Sequence, residues 1–300
     1  MPPFLEALGC GRVLLMDGAM GTELRRAGLQ DGESDALWNL THPARVRTVH
    51  QAYVAAGARA LLTNTFQANP AALARHGAQD RLDPVCRAGL EIARAAAGPG
   101  RYVVADIGPL FDPRARPWTV GDLSVLEQVC SSLAGADAVL LETFSDPWAL
   151  VAAEFCATTR GARPVPLLLS VTYRRTRGGG VRTAGGHRPE TFARQAGPRG
   201  IAALGVNCGR DIGMSEVIEV VRRYRQVSDL PLFARPNAGT PERVDGRWVY
   251  PHSPDRMAER LPELLEAGVG MVGGCCGTTP EHIAAFQPVI ERWNRSRGGR

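Results

Sequence analysis

The sequence contains no lysine, because all 35 of its basic residues are arginine. A chain without lysine cannot form a Schiff base, so lysine-dependent aldolases and pyridoxal phosphate enzymes are excluded. Aromatic residues make up only 6% of the chain, and the arginines are scattered rather than arranged in a stripe. Even with a net charge of +5, this composition does not predict a nucleic-acid-binding protein.

Long apolar runs are also missing. No segment approaches the roughly 18 consecutive apolar residues of a membrane span, since Arg, Asp or Gly interrupts each run. The first residues, MPPFLEALGCGR, lack the basic and apolar regions of a signal peptide. We therefore expect a cytoplasmic protein with no membrane partner. The seven cysteines are an odd number, which predicts buried thiols, metal ligands or nucleophiles rather than a disulfide framework.

Apolar runs of strand length alternate with segments of helical spacing along the whole chain. The runs cover residues 12–20, 58–66, 101–109, 136–144, 164–173, 201–208, 231–238 and 268–276. Strands of this kind, each followed by a helix, predict a parallel sheet covered on both faces. Eight such units favour a closed (β/α)₈ TIM barrel. A doubly wound open sheet is the competitor, but the glycine fingerprint of a dinucleotide site is missing.

The segments between the strands give no sign of a domain boundary. We find no linker and no low-complexity segment, so we expect one domain over residues 1–300. Helical spacing is clear over 43–57, 215–226 and 254–268, and the last of these ends at a glycine. The longest irregular stretch, residues 174–188, is predicted to be the loop after the fifth strand.

Polar residues follow the predicted strands at the point where each strand ends. They are Asp17, Asn64, Asp106, Glu142, Asn207, Cys208, Asn237, Cys275 and Cys276. Burying such groups without partners would cost about 1–3 kcal/mol each. In a (β/α)₈ barrel the chemistry lies where strands run into their following loops. We therefore expect these residues to form a site at one mouth of the barrel.

Three of these residues are cysteines at the ends of the sixth and eighth strands. In a barrel, Cys208 lies at the same rim as Cys275 and Cys276. Three thiolates suit Zn²⁺, and a catalytic zinc keeps its fourth position open. A substrate thiol in that position would be ionised near neutral pH, which suits alkyl transfer onto sulfur. The residues alone leave two interpretations, a metal site or three buried thiols.

The chain resembles a known family through seven motifs that occur in the family's order. The motifs are DGAMGTEL, TNTF, ADIGP, LLETF, GVNCG, PNAG and GGCCGTTPEHI. With them the sequence is similar to the homocysteine S-methyltransferase family over about residues 10–290. Within it, the chain looks most like the homocysteine-binding module of cobalamin-dependent methionine synthase. The resemblance implies a (β/α)₈ barrel in which Cys208, Cys275 and Cys276 are the zinc ligands and catalytic residues, with the homocysteine thiolate as the fourth ligand.

Substrate-binding residues are predicted from residue type, and the resemblance supports them. Asp17 suits the substrate ammonium, although it could instead be an N-cap or turn residue. The backbone amides of Ala19, Met20, Gly21 and Thr22 could receive the substrate carboxylate, as a helix N-terminus does for anions. The resemblance implies that Glu142 is a second partner of the substrate's amino group, and a purely structural role is its alternative. Asn207 could orient the substrate or the metal ligands.

Other polar residues receive no specific role from the sequence. For Asn64, Asp106 and Asn237 a structural hydrogen-bonding role is as well supported as a place at the rim. His187, His252 and His282 have no evident place beside three cysteine ligands. The cysteines at 10, 86, 130 and 156 are predicted to be core residues in or beside helices.

The methyl donor is the main open question. The D-x-H-x-x-G motif of corrinoid ligation is absent, so we expect a separate methyl-corrinoid protein to carry methylcobalamin to the rim. Free-standing members of the family use S-methylmethionine or S-adenosylmethionine instead, but the stretch 110–120 differs from the one we associate with them. A third alternative is a zinc- and thiol-binding subunit without catalysis of its own, or an alkyltransferase for another thiol. A quaternary ammonium donor is disfavoured because few aromatic residues are available to surround it.

Overall fold

The computed structural model describes residues 2–111, 119–159, 165–244 and 247–297. Most of the stretch 110–120, which bears on the choice of methyl donor, therefore lies outside the described residues.

Parallel strands form the centre of the molecule. The strands in chain order are β1 (Leu14–Leu15), β2 (Ala60–Leu62), β3 (Tyr102–Ile107), β4 (Ala138–Phe144), β5 (Leu167–Val171), β6 (Arg174–Arg175), β7 (Val181–Arg182), β8 (Ala203–Asn207), β9 (Leu232–Arg235), β10 (Glu242–Val244), β11 (Arg247–Val249) and β12 (Val269–Val272). Eight of them form one sheet in the order β1-β12-β9-β8-β5-β4-β3-β2. A parallel bridge between Met16, which follows β1, and Ala60 of β2 joins the two ends of this order. The predicted TIM barrel is confirmed.

Helices surround the strands on the outside. They are α1 (Phe4–Gly9), α2 (Met20–Arg26), α3 (Trp38–Thr41), α4 (Pro43–Ala55), α5 (Pro70–Ala74), α6 (Leu82–Ala97), α7 (Val120–Ser132), α8 (Trp148–Thr159), α9 (Pro189–Ala196), α10 (Met214–Arg225), α11 (Pro254–Glu259), α12 (Leu261–Glu266) and α13 (Pro280–Arg297). None of the helices in the described ranges is long and apolar enough to cross a bilayer.

The barrel interior is filled by apolar side chains. Its buried members include Leu62, Val104, Leu140, Leu168 and Phe233. The first helix covers the amino-terminal end, where the ring of Phe4 meets the ring of Tyr102 edge-on at 5.1 Å between centroids. The barrel is therefore a packed core, and its carboxyl-terminal mouth is left for a functional site.

Three local expectations need correction. The predicted helix over 254–268 is two helices that meet at Arg260. Pro262 lies in the first turn of α12, where proline is favoured, so a new helix begins there. The predicted loop 174–188 contains a short antiparallel hairpin, β6 with β7. Cys10 is exposed, so the prediction that it is a core residue is wrong, because the chain has already left α1 at this position.

Candidate active site

Three cysteine thiols meet at the carboxyl-terminal mouth of the barrel. The sulfur of Cys208, which follows β8, lies 3.9 Å from the sulfur of Cys276. The sulfurs of Cys275 and Cys276, which follow β12, lie 4.0 Å apart, and all three are within 4.8 Å of one another. Tetrahedral zinc with Zn–S bonds of about 2.3 Å requires S···S distances of about 3.8 Å. The three sulfurs therefore have the spacing of a set of zinc ligands.

Backbone hydrogen bonds between neighbouring loops set this spacing. The amide of Cys275 donates to the carbonyl of Pro236 at 2.9 Å, and the amide of Ala238 donates to the carbonyl of Cys276 at 3.0 Å. The amide of Cys208 donates to the carbonyl of Arg235 at 3.4 Å. The segment after β9 thus lies between the two cysteine-bearing loops and is bonded to both of them.

Unusual backbone conformations at and beside the cysteines determine where the thiols lie. Cys208 has φ +51°, in the left-handed region that non-glycine residues rarely adopt. Gly209 follows with φ +114°, where an added Cβ would collide with the carbonyl oxygen of Tyr173. Gly277 has φ +79°, and a Cβ there would overlap the ring of Tyr250. These glycines let the chain turn tightly beside each thiol, and such strain is concentrated at functional sites.

The thiols control one another's ionisation. Hydrogen bonds from the thiols of Cys275 and Cys276 lower the pKa of Cys208 to about 3. The same contact with Cys208 raises the pKa of Cys275 to about 12, and it raises the pKa of Cys276 as well. One thiolate is therefore stable in the cluster by itself. Ionisation of all three thiols requires a cation among them.

Asn207 lies next to the cysteine cluster and is held there by hydrogen bonds. Its Oδ1 accepts hydrogen bonds from Ser170 Oγ at 2.6 Å and from the Thr143 amide at 3.2 Å. Its Nδ2 donates to Thr143 Oγ1 at 2.7 Å and faces Cys275 Sγ at 3.7 Å. Asn207 is completely buried. Its geometry is that of a residue that positions Cys275.

Asp17 and Glu142 flank a buried arginine that the sequence interpretation missed. Arg235 donates from Nη1 to Asp17 Oδ1 at 2.8 Å, and its Nε lies 3.2 Å from Glu142 Oε1. The other oxygen of Asp17 accepts from the amide of Leu62 at 2.8 Å. The available signal was a charged residue inside the apolar run PLFARPNA. Asp17 lies outside α2, whose N-cap is Ala19, so it is not a helix cap.

The acidic side chains of this region are hard to ionise. Burial raises the pKa of Glu142 to about 8, against the opposing effect of Arg235. Burial, and then the charge of Glu142, raise the pKa of Asp106 well above its ordinary value. The pKa of Asp17 is also raised by burial, although Arg235 opposes the shift. Among the residues that the structure describes, these three acids share one guanidinium, that of Arg235.

The turn before α2 contributes backbone amides. The amide of Ala19 donates to Thr278 Oγ1 at 3.1 Å, so in this structure it is already bonded. Met20, Gly21 and Thr22 lie in the first turn of α2, where amides have no partner inside the helix. Gly21, Thr22 and Cys276 line a cleft of about 1410 Å³. This cleft joins the thiol cluster to the solvent.

Asn64, one of the predicted rim residues, lies outside this cluster. Asn64 donates to the carbonyl of Asp35 at 2.8 Å and to Asn39 Oδ1 at 3.0 Å, which is a structural network. His282 uses one ring nitrogen for Thr279 and the other for the carbonyl of His252. Because both ring nitrogens of His282 already form hydrogen bonds, His282 is not a ligand partner of the three thiols.

His187 and the remaining cysteines are separate from the thiol cluster, whereas His252 lines the same cleft as Cys276. His252 packs beside Gly239, and His187 meets Phe192 edge-on. Cys86 and Cys156 are buried and Cys130 is half-buried, each within a helix.

The profile of a family described as homocysteine S-methyltransferase matches residues 14–290. The chain belongs to the homocysteine S-methyltransferase family. The predicted resemblance to this family is thereby confirmed.

Individual relatives agree with this assignment. The chain is 33% identical to methionine synthase of Mycobacterium leprae and 34% identical to methionine synthase of Mycobacterium tuberculosis. These matches cover 94% and 95% of the chain, but the chain spans only 25% of each relative's length. The crystal structure of the homocysteine methyltransferase MmuM from Escherichia coli, in its metallated form, superposes with a TM-score of 0.78 at 26% identity. That match covers 96% of this chain and all of the other.

Proposed function

We propose that this chain binds homocysteine and promotes methyl transfer to its sulfur, giving methionine. In this proposal residues 1–300 form one homocysteine-binding barrel domain. The observation that carries it is the set of three sulfurs, of Cys208, Cys275 and Cys276, within 4.8 Å of one another at the barrel mouth. Family membership supports homocysteine as the thiol that meets them.

Cys208, Cys275 and Cys276 are the residues that would hold zinc. Bound zinc would supply a vacant fourth position in which a substrate thiol loses its proton near neutral pH. Three cysteinates leave such a centre with a charge of −1, so a sulfur held there stays electron-rich. This donor set suits attack by sulfur on a methyl carbon and is poorly suited to the activation of water.

The chain's other residues hold and orient the substrate in this proposal. Asn207 fixes Cys275, the carboxyl groups of Glu142 and Asp17 face the substrate's amino group beside Arg235, and the amides of Met20, Gly21 and Thr22 face its carboxylate. The bonded amide of Ala19 supports the turn that presents the other three. Positioning of this kind does most of the catalytic work when no covalent enzyme intermediate is needed.

We propose a methyl-corrinoid on a separate protein as the donor. The similarity to proteins named methionine synthase supports a corrinoid donor. The cleft of about 1410 Å³ beside Cys276 is larger than homocysteine needs, which leaves room for a donor to approach. Because zinc-binding thiols must stay reduced, we also propose a cytoplasmic location.

A donor assay tests the proposal. Zinc-loaded protein is incubated with homocysteine and, in parallel, with methylcobalamin, S-methylmethionine or S-adenosylmethionine, and methionine is measured. Methionine from methylcobalamin alone supports the corrinoid donor, and methionine only from a sulfonium contradicts it. Activity that requires an added corrinoid protein favours a subunit of a larger methyltransferase.

Two variants make the assay specific. The Cys275→Ala variant should give no methionine with any donor, whereas Cys10→Ser, which changes an exposed thiol, should behave like the original protein. If no donor gives methionine, with or without a corrinoid protein, the proposed function is wrong.

A further inference from the structure

Two cysteines away from the barrel mouth face each other on neighbouring helices. The sulfur of Cys130 in α7 lies 3.5 Å from the sulfur of Cys156 in α8. Cys156 is only 2% exposed, whereas Cys130 is half-buried. A disulfide has an S–S length of about 2.05 Å, so the two sulfurs need to approach by about 1.5 Å to form one. The pair is therefore within reach of disulfide formation, and one of its members is partly accessible to a reagent.

Both cysteines lie near the carboxyl-terminal ends of their helices. Cys130 is in the last turn of α7, which ends at Ser132, and Cys156 is in the last turn of α8, which ends at Thr159. The carbonyl groups of a last helical turn have no partner inside the helix, and helix ends fray. The approach of the two sulfurs can therefore be shared by two helix ends, where the backbone adjusts more easily than in a helix interior.

The pair lies at the end of the barrel opposite to the three thiols of the candidate active site. In a (β/α)₈ barrel each helix runs back along the sheet, so its carboxyl-terminal end lies near the start of the next strand. α7 leads into the start of β4, and α8 leads into the start of β5. The three thiols at the mouth instead follow the ends of β8 and β12. A bond between Cys130 and Cys156 would therefore leave the mouth of the barrel unchanged.

A third helix cysteine, Cys86 in α6, lies near the pair without belonging to it. The charge of Cys130 acts on Cys86, but burial is the main reason that the pKa of Cys86 is raised to about 12. The Cys86 thiol therefore stays protonated near neutral pH. In the part of the chain that the structure describes, only the cysteines at the mouth form a set of three metal-binding atoms within 4.8 Å. The helix cysteines are thus one pair and one neighbour, and they do not form a second metal site there.

We propose that Cys130 and Cys156 are a reversible redox pair that forms a disulfide between α7 and α8 by exchange with a small-molecule disulfide. The thiolate of Cys130 attacks one sulfur of the reagent, which forms a mixed disulfide and releases one thiol. The thiolate of Cys156 then attacks the Cys130 sulfur, which breaks the mixed disulfide and releases the second thiol. Both cysteine sulfurs are oxidised, both reagent sulfurs are reduced, and the two cysteine protons end on the released thiols. This inference does not depend on the proposed methyl transfer.

The disulfide would join two helices at positions 26 residues apart in the sequence. A cross-link of this span stabilises the folded state chiefly because it restricts the unfolded chain. We expect the oxidised protein to melt about 5 °C higher than the reduced protein. In a reducing compartment the pair would remain two thiols, and the disulfide would form when the surrounding thiols become oxidised. It would then strengthen the barrel between its third and fourth helical connections.

The test exposes the purified, folded protein to mixtures of reduced and oxidised glutathione. The protein is then alkylated and cleaved after glutamate, which separates the two cysteines because Glu142 and Glu154 lie between them in the sequence. Mass spectrometry should find a cross-link between Cys130 and Cys156 that dithiothreitol removes. Metal content, measured in the same samples, should be the same before and after the cross-link forms.

Three variants separate the roles of the thiols. Cys156→Ser should accumulate a mixed disulfide between Cys130 and glutathione, because the second thiol is missing. Cys130→Ser should give neither product at these positions, and its melting temperature should not rise on oxidation. Cys86→Ser changes another buried helix cysteine and should form the cross-link as the original protein does. Circular dichroism identifies a variant that fails to fold, and the corresponding alanine variant then takes its place.

Three results would contradict the inference. The first is a folded protein in which Cys130 and Cys156 stay reduced at every glutathione ratio and become linked only after unfolding in urea. The second is a cross-link from Cys130 to Cys86 in place of Cys156. The third is a loss of metal that requires Cys130, which would show that the pair is not separate from the barrel mouth. Methionine is not measured in this test, so failure of the proposed function would not change its result.

Discussion

The guanidinium of Arg235 lies 2.8 Å from the carboxylate of Asp17, and the two side chains are only 4% and 2% exposed. The ends of β9 and β1 are thereby joined inside the barrel mouth. A second contact, from Arg235 Nε to Glu142 Oε1 at 3.2 Å, adds the end of β4 to this connection. The buried arginine therefore holds together three of the strands that carry the site.

Replacement of this arginine should be costly. In Arg235→Met, Asp17 and Glu142 would be buried without their cation, so we expect a loss of about 3–5 kcal/mol in the free energy of unfolding, measured with urea. The control is Arg87→Met, because Arg87 pairs with Asp83 at 2.7 Å on the surface. That loss should stay below about 1 kcal/mol. Equal losses in the two variants would contradict the assigned role of Arg235.

The cysteine cluster predicts how metal content responds to substitution. Cys275→Ala removes one of three closely spaced sulfurs, so purified protein should fall from about one zinc per chain to less than about 0.1. Metal content is measured by emission spectroscopy. Cys10→Ser should retain its metal, since Cys10 is exposed and lies outside the cluster. Full zinc content in Cys275→Ala would exclude Cys275 as a ligand.

Asn207 should affect the metal affinity of the site without being a metal ligand. Its hydrogen bonds to Thr143 and Ser170 hold the amide 3.7 Å from Cys275 Sγ. Loss of such a supporting residue typically costs 10–100-fold in metal affinity, and we expect Asn207→Ala to fall in that range. Competition with a chelator measures the change. Asn39→Ala removes another buried asparagine and should leave the affinity near its original value; similar changes in both variants would argue against the role of Asn207.

His50 predicts a pH dependence of stability. It is buried in α4, neither ring nitrogen has a hydrogen-bond partner in the described part of the chain, and burial lowers its pKa to about 4. An unfolded histidine titrates near 6.5, so between pH 6.5 and 4 the unfolded chain binds a proton that the folded chain does not. Stability contributed by neutral His50 is thus lost as the pH falls through this window.

The size of the effect can be measured directly. From pH 7 to pH 4.5 this single group should remove about 2–3 kcal/mol from the free energy of unfolding. His50→Leu should remove that part of the pH dependence, whereas His76→Leu, at an exposed position, should keep it. If both variants follow the pH profile of the original protein, the burial of His50 is not responsible.

The barrel could be predicted because its signal is repeated. Eight apolar runs separated by helical segments have few alternative folds, and each run is found at a strand of the sheet. The break at Arg260 was missed because the apolar spacing continues across Pro262. Periodicity reports which face is buried, and it is less sensitive to a local change of direction.

The thiol cluster could also be predicted, since strand ends of one barrel meet at one mouth and the motifs carrying Cys208 and Cys275 are distinctive. The pairing of Asp17 with Arg235 could not. Whether a carboxylate faces a ligand or an internal guanidinium depends on side-chain packing across three strands, which no local pattern encodes. The placement of Asp106 beside Glu142 likewise depends on strand register.

X-ray absorption spectroscopy of the zinc-loaded protein tests the central claim most directly, because it counts the sulfur atoms bound to the metal. We expect three sulfurs at about 2.3 Å in the protein alone and four after homocysteine is added. Fewer than three sulfurs before the addition, or an unchanged count after it, would contradict the account.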